Sequence, residues 1–82
     1  MIDVVFEKEN SRAAAYDNGK LIGKCVLVLS DKNWTVEHTE TDAAYGGQGI
    51  GRRLVECVFE EAQQAGANLN LVCSYAKKVA KG

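Results

Sequence analysis

The chain has 82 residues, of which 46% are hydrophobic and 26% charged, and its formal net charge is −1. This length predicts one domain over residues 1–82, and the composition argues against a disordered chain. The slight acidic excess argues against nucleic acid as a partner, and no segment reads as a leader or as a membrane span of about 20 apolar residues, so we expect a cytoplasmic protein. Three widely spaced cysteines, Cys25, Cys57 and Cys73, predict reduced thiols and no metal site.

The first half of the chain predicts an antiparallel meander of about four strands. Residues 2–7 and 12–17 are strand-like, and Asn18-Gly19 after them tolerates the positive φ of a type I′ hairpin turn. A third strand follows over residues 20–29. The polar residues 30–33 then form a turn into a fourth strand over residues 34–39.

The third strand predicts two faces, with Gly23 marking a bulge. One face carries Leu21, Cys25, Leu27 and Leu29, and the other carries Ile22, Lys24, Val26 and Val28. In the fourth strand, His38 alternates with Trp34 and Val36, which predicts a half-buried structural histidine as one alternative.

In the second half of the chain, after a loop over residues 40–47, the spacing of the apolar residues changes from the two-residue period of strands to the period of a helix. From Gly49 the apolar residues recur at helical spacing, and Gly66 provides a left-handed stop. A strand over residues 69–73 and a basic helix over residues 75–81 follow. A strand, crossover helix and strand imply that 34–39 and 69–73 run parallel, so the fold class is α+β with a mixed sheet. The apolar face of the long helix holds Ile50, Leu54, Val55, Val58, Phe59, Ala62 and Ala65.

The glycine-rich segment before the long helix is the main candidate for a binding site. Gly46, Gly47, Gly49 and Gly51 allow backbone N–H groups at a helix start to approach an anion, although a merely flexible connection is the alternative. Arg52 and Arg53 follow in the first turn, where cations meet the positive end of the helix dipole at a cost of about 0.3–1 kcal/mol each. A bound phosphate reverses that penalty.

Two other phosphate motifs fit poorly. Gly46 and Gly51 stand at P-loop spacing, but Arg52 and Arg53 occupy the positions of the lysine and the Ser/Thr that a nucleoside triphosphatase requires. A dinucleotide fingerprint would need glycine in place of Arg52.

The same segment resembles the GNAT superfamily of acyl-CoA-dependent acetyltransferases. Its signature, Arg/Gln-x-x-Gly-x-Gly/Ala, aligns with residues 46–51, where Gly49 and Gly51 match and Gly46 departs from the leading Arg or Gln. His38-Thr39 and Cys73-Ser74-Tyr75 are similar to motifs of small GNAT-like proteins. The resemblance implies a GNAT-like core and acetyl-CoA as cofactor, bound by Thr39, Gly46, Gly47, Gln48, Gly49, Ile50, Gly51, Arg52, Arg53 and Lys77.

Three residues are catalytic candidates for transfer to a primary amine, either a small amine or lysine. His38 could act as the base, because an imidazole titrates near neutral pH. Cys73 could accept the acetyl group first, in a two-step route, or could be a small core residue that leaves transfer direct. Tyr75 could hydrogen-bond the thioester or merely cap the tail helix, and Lys77 could lie on a solvated basic face.

Two further readings remain open, together with a possible homodimer. The tyrosine that serves as general acid in larger GNAT enzymes is replaced by Ala80, which favours a CoA or acyl-CoA binding module without turnover. The third reading is an interaction domain with a flexible loop.

Overall fold

The computed structural model describes residues 1–82 and consists of a five-stranded sheet with two helices. Strand order in the sheet follows the sequence; the first four strands are antiparallel and the last pair is parallel, which confirms the predicted α+β class. The strands are β1 (Ile2–Glu7), β2 (Arg12–Asp17), β3 (Lys20–Ser30), β4 (Asn33–Thr41) and β5 (Asn68–Leu71), and the helices are α1 (Ile50–Ala65) and α2 (Ser74–Ala80).

The predicted hairpin turn between β2 and β3 is confirmed. Asn18 has φ 49° and Gly19 has φ 85°, and a type I′ turn requires positive φ at both central residues. The turn brings Asp17 opposite Lys20 and starts the antiparallel pairing.

Helix α1 covers one face of the sheet with the predicted apolar side chains. Ile50, Leu54, Val55, Val58 and Ala62 are buried, and each Leu, Ile or Val removed from water contributes about 1.5–3 kcal/mol to folding before entropy is counted. The helix ends as expected at Gly66, whose φ is 67°. The N–H of Ala67 then bonds to the carbonyl of Ala62, which satisfies the helix end.

The first bulge corrects the predicted faces of β3. Ala15 pairs with Gly23 but Tyr16 pairs with Leu21, so Ile22 is the extra residue of the strand. Consequently Ile22 turns into the core at 2% exposure, whereas Leu21 is 40% exposed. The strict two-residue alternation used in the sequence prediction places Leu21 in the core and Ile22 on the opposite face. The bulge lies beside Gly23, as predicted.

A second bulge, which the sequence did not predict, lies in β4. Val26 pairs with His38 but Leu27 pairs with Val36, so Glu37 is the extra residue. The alternation of Trp34 and Val36 into the core therefore stops before His38. The His38 side chain is 57% exposed, so the expectation of a half-buried histidine is wrong.

Both helices pack on the same side of the sheet. The core cluster joins α1 to α2 through Ala76 and to strand residues such as Cys25, Leu27 and Val36. β1 and β2 are connected only by a short 3₁₀ turn, Lys8–Asn10, and the opposite face of the sheet is not covered by a helix. Neither helix is long and apolar enough to cross a membrane.

Candidate functional site

A cleft of about 370 Å³ opens where β4 ends and α1 begins. It takes its walls from β4, the following turn, the first turn of α1 and the start of α2. The lining residues are Thr39, Glu40, Thr41, Tyr45, Gly46, Gly47, Gly49, Ile50, Gly51 and Tyr75. Seven of the residues predicted from the sequence to act in catalysis or coenzyme binding therefore lie around one cavity.

One wall of the cleft exists because β4 and β5 separate. Their parallel pairing ends at Val36 and Leu71, and the Val36 carbonyl accepts both the Val72 and the Cys73 N–H at 3.0 Å. β5 then turns into α2, while β4 continues to Thr41 paired with β3 alone. The end of β4 thus presents an open backbone edge to a ligand, as the edge strand of a sheet does.

The start of α1 provides a group of free donors. Gly49 caps the helix with φ 73° and has no side chain to satisfy the first turn. The N–H groups of Gly49, Ile50, Gly51 and Arg52 make no hydrogen bond within the protein; the first internal bond is from Arg53 N–H to the Gly49 carbonyl at 3.1 Å. Free donors at the positive end of a helix bind anions.

Tyr75 lines the cleft from the side of α2 and packs against Gly51. A Cβ on Gly51 would lie 3.1 Å from the Tyr75 hydroxyl and 3.2 Å from its ring carbons. A side chain at this position would require the Tyr75 ring to shift by a few tenths of an ångström. The absence of a side chain at Gly51 therefore serves the packing of α1 against α2.

Cys73 lies at the start of α2, buried at 9% exposure. Its Sγ is 3.6 Å from the Thr39 Oγ1. Burial by itself raises the pKa of the thiol, but hydrogen bonds from the backbone of Ala76, from the Thr39 hydroxyl and from the backbone of Tyr75 outweigh it, and the pKa of Cys73 is lowered. A lower pKa increases the fraction of reactive thiolate at neutral pH.

The other two thiols differ from Cys73. Burial raises the pKa of Cys25, which is fully buried. Burial and, next, the carboxylate of Glu61 raise the pKa of Cys57 to about 11. All three cysteines are free, so Cys73 alone is held in surroundings that favour the thiolate.

His38 lies beside the cleft and not among its lining residues. Its Nε2 is 2.8 Å from Glu40 Oε2, and Glu40 also pairs with Lys24 at 3.6 Å. The hydrogen bond to His38 lowers the pKa of Glu40, so the carboxylate is ionised at neutral pH. When His38 carries its proton on Nε2 toward Glu40, Nδ1 is free to accept a proton.

Four predicted coenzyme-binding residues lie outside the cleft lining. Arg52 Nε pairs with Glu56 at 3.2 Å, and an Arg53 Nη2 donates to the Ile2 carbonyl at 3.4 Å. Gln48 is exposed in the loop. Lys77 lines a separate depression on α2 with Ser74, Tyr75, Lys78 and Lys81.

The sequence interpretation missed what holds the loop over the cleft. Asp42 accepts the Ala44 N–H at 2.9 Å and caps a 3₁₀ turn, Ala43–Tyr45, a role that an Asp before a turn could have suggested. The Tyr45 hydroxyl donates to Asp17 Oδ2 at 2.6 Å. No sequence pattern reveals this second contact, because the two residues are far apart along the chain.

The sequence around this cleft matches a known protein family. A family model described as GCN5-related N-acetyl-transferase matches residues 12–81, a range that includes the whole cleft. The chain belongs to this family. A comparison with curated protein sequences found no match.

Solved structures of acetyltransferases share the fold. The ribosomal-protein-S18-alanine N-acetyltransferase from Escherichia coli superposes with a TM-score of 0.72 at 23% identity, over 85% of this chain and 48% of that one. Nourseothricin acetyltransferase superposes with a TM-score of 0.60 at 34% identity, over 82% of this chain and 43% of that one. A GCN5-like putative N-acetyltransferase from Staphylococcus aureus superposes with a TM-score of 0.70 at 21% identity, over 96% of this chain and 78% of that one. The chain therefore spans about half the length of the first two.

Proposed function

We propose that this chain is an acetyl-CoA-dependent N-acetyltransferase acting on a primary amine. The observation that carries the proposal is the set of four unpartnered N–H groups, from Gly49 to Arg52, at the α1 start beside the cleft. The coenzyme pyrophosphate fits this donor set because it brings negative charge and several acceptors to the positive end of the helix dipole. Family membership supports the same ligand.

The open edge of β4 suits the amide-containing arm of the coenzyme. β4 pairs with β3 alone beyond Val36, so its outward N–H and C=O groups can pair with an extended ligand as they would with another strand. This path would lead from the α1 start to Thr39, which lines the cleft. Cys73 is not among the lining residues, but its sulfur lies 3.6 Å from the Thr39 hydroxyl, so we expect the thioester end of the arm to lie near it.

Two routes of transfer are compatible with these residues. In the two-step route the Cys73 thiolate would attack the thioester carbonyl, the carbon–sulfur bond to CoA would break, and CoA would leave as a thiolate that takes a proton from solvent. The amine would then attack the acetyl carbonyl on Cys73 and release Cys73 as a thiolate. In the direct route the amine attacks the thioester itself. In both routes an amine proton must leave, and His38 with its partner Glu40 is the candidate base.

A binding module without turnover is the second candidate. If Cys73 is aligned with the Asn of the GNAT pattern, Ala80 takes the position of the tyrosine that the resemblance implies as general acid. The chain also spans 48% and 43% of two acetyltransferases of similar fold. The acceptor, the contribution of Lys77 and the possible homodimer stay predictions.

Thermal unfolding with acetyl-CoA, CoA, ATP and NAD tests the proposal. Acetyl-CoA at 100 times its Kd should add about 2.7 kcal/mol to the stability of the native state, and ATP and NAD should add little. Gly49→Asp should abolish this shift, because a carboxylate would repel the pyrophosphate.

Gly49→Asn is the matched control for that variant. Asn has the same shape, carries no charge and tolerates the positive φ of Gly49, so it should keep most of the shift. Equal binding by Gly49→Asp and the parent would place the coenzyme elsewhere. Binding without thiol release on a panel of amines would favour the binding module.

A further inference from the structure

Thr39 connects two cysteines through one hydroxyl. Its Oγ1 donates to Cys25 Sγ at 3.4 Å and lies 3.6 Å from Cys73 Sγ. Cys25 is the cross-strand partner of Thr39 and is fully buried. The Thr39 hydroxyl thus lies between the two sulfur atoms, and Thr39 is the member of this row that lines the cleft.

Each member of this row can both donate and accept a hydrogen bond. With Cys73 neutral, its S–H donates to Thr39 Oγ1, and the Thr39 hydroxyl donates to Cys25. When Cys73 loses its proton to solvent or to a base, both bonds can reverse: Cys25 S–H donates to Thr39, and the Thr39 hydroxyl donates to the Cys73 thiolate. No proton leaves Cys25 or Thr39 in this reversal, so only Cys73 changes its charge.

We propose that Thr39 is a positioning residue that stabilises the Cys73 thiolate, with Cys25 as the buried end of a reversible hydrogen-bond chain. Hydrogen bonds to a charged acceptor are stronger than those to a neutral one, which favours the reversed state. Cys25 suits the buried end because burial raises its own pKa and keeps it a thiol. The use of this thiolate in acetyl transfer rests on the proposed function, but its stabilisation does not.

Besides the Thr39 hydroxyl, hydrogen bonds from the backbone of Ala76, Tyr75 and Thr39 lower the pKa of the Cys73 thiol, and substitutions of the Thr39 side chain keep these three. Of the titratable groups, Cys25 lies on β3, and Tyr75 and Lys77 lie on α2. On β4, Thr39 is followed by Glu40, whose carboxylate is occupied by His38 and Lys24. Variants of Thr39 leave all these charges in place, so a change in the pH profile reports the hydroxyl.

The test is the rate of alkylation of Cys73 by iodoacetamide as a function of pH, read by mass spectrometry of the Cys73 peptide without acetyl-CoA. Thr39→Val keeps the size of the side chain and removes the hydroxyl. It should move the profile to higher pH and lower the rate near neutral pH by about three- to tenfold. Thr39→Ser should restore the parent profile, and Cys25→Ala should give a smaller shift in the same direction.

Two controls keep the proposal falsifiable. Cys57→Ala, a cysteine outside the row, should leave the profile unchanged, and circular dichroism establishes that each variant is folded. Titration of the ultraviolet thiolate absorbance measures the same pKa without dependence on access of the reagent. A folded Thr39→Val protein with the parent profile, or a Thr39→Ser protein that behaves like Thr39→Val, would overturn the proposal, whatever the outcome of the acetyl-CoA experiments.

Discussion

At the scale of single residues, Cys73 distinguishes the two routes of transfer. Its pKa is lowered whereas those of Cys25 and Cys57 are raised, so only Cys73 should accept an acetyl group. Incubation with acetyl-CoA and no amine should add the mass of one acetyl group, which hydroxylamine should remove. Mass spectrometry of the intact protein measures the adduct.

Substitution of each cysteine identifies the acceptor of this group. Cys73→Ala should lose the adduct, while Cys57→Ala, a partly buried control on α1, should keep it. Removing the Cys73 sulfur should cost about 1 kcal/mol of stability or less, as is typical of a point substitution. If the Cys73→Ala protein acetylates amines at the parent rate, transfer is direct and Cys73 is structural.

The residues of the candidate site were partly predictable from the sequence. The glycine-rich segment is visible in the sequence because it is defined by residue type, and Gly47 and Gly49 use the freedom of glycine by adopting positive φ. The exposure of His38 was not predictable, because it depends on the extra residue Glu37 in a neighbouring part of the strand. Bulges follow from how two strands match, and one strand's pattern does not contain that information.

At the scale of secondary-structure elements, the turn after β4 depends on its contact with the end of β2. The Tyr45 hydroxyl donates to Asp17 at 2.6 Å, and this bond lowers the pKa of Asp17. Tyr45→Phe should release the loop that lines the cleft and raise the Kd for acetyl-CoA by about three- to tenfold. Isothermal titration calorimetry measures the change.

Tyr16→Phe is the matched control for Tyr45→Phe. Tyr16 also donates to a carboxylate, Glu7, at 2.5 Å, but it does not line the cleft. This variant should lose stability with no change in affinity. Equal Kd values for the parent and Tyr45→Phe would mean that the loop keeps its position without the Asp17 contact.

At the scale of the whole molecule, a polar cluster on the strands β1 and β2 makes stability depend on pH. Hydrogen bonds from Tyr16 and Arg12 lower the pKa of Glu7. A lowered pKa stabilises the folded state fully above the unfolded pKa of about 4.3, and this contribution is lost as the pH falls through the lower folded value. Glu7→Gln should cost about 1 kcal/mol at neutral pH, with a smaller difference from the parent in acid.

Urea unfolding at neutral and at acidic pH measures this difference. Glu9→Gln is the control, because the Glu9 side chain is exposed and makes no hydrogen bond or ion pair. A Glu7→Gln penalty of the same size at both pH values would show that the loss comes from packing and not from the charge.

The strand order of the sheet has a consequence for folding. β1 to β4 join through short turns, but β5 reaches β4 only after α1, and the two share only four paired positions, from Asn33 with Asn68 to Val36 with Leu71. Closing the loop between β4 and β5 costs more entropy than closing the short turns between β1 and β4, so we expect the β4–β5 pairing to form last. A ligand in the cleft would contact the end of β4 and Tyr75 of α2, the helix that follows β5, so its binding free energy would also resist local opening of this region. In a chain of 82 residues, binding in the cleft would therefore be coupled to the stability of this late-forming contact.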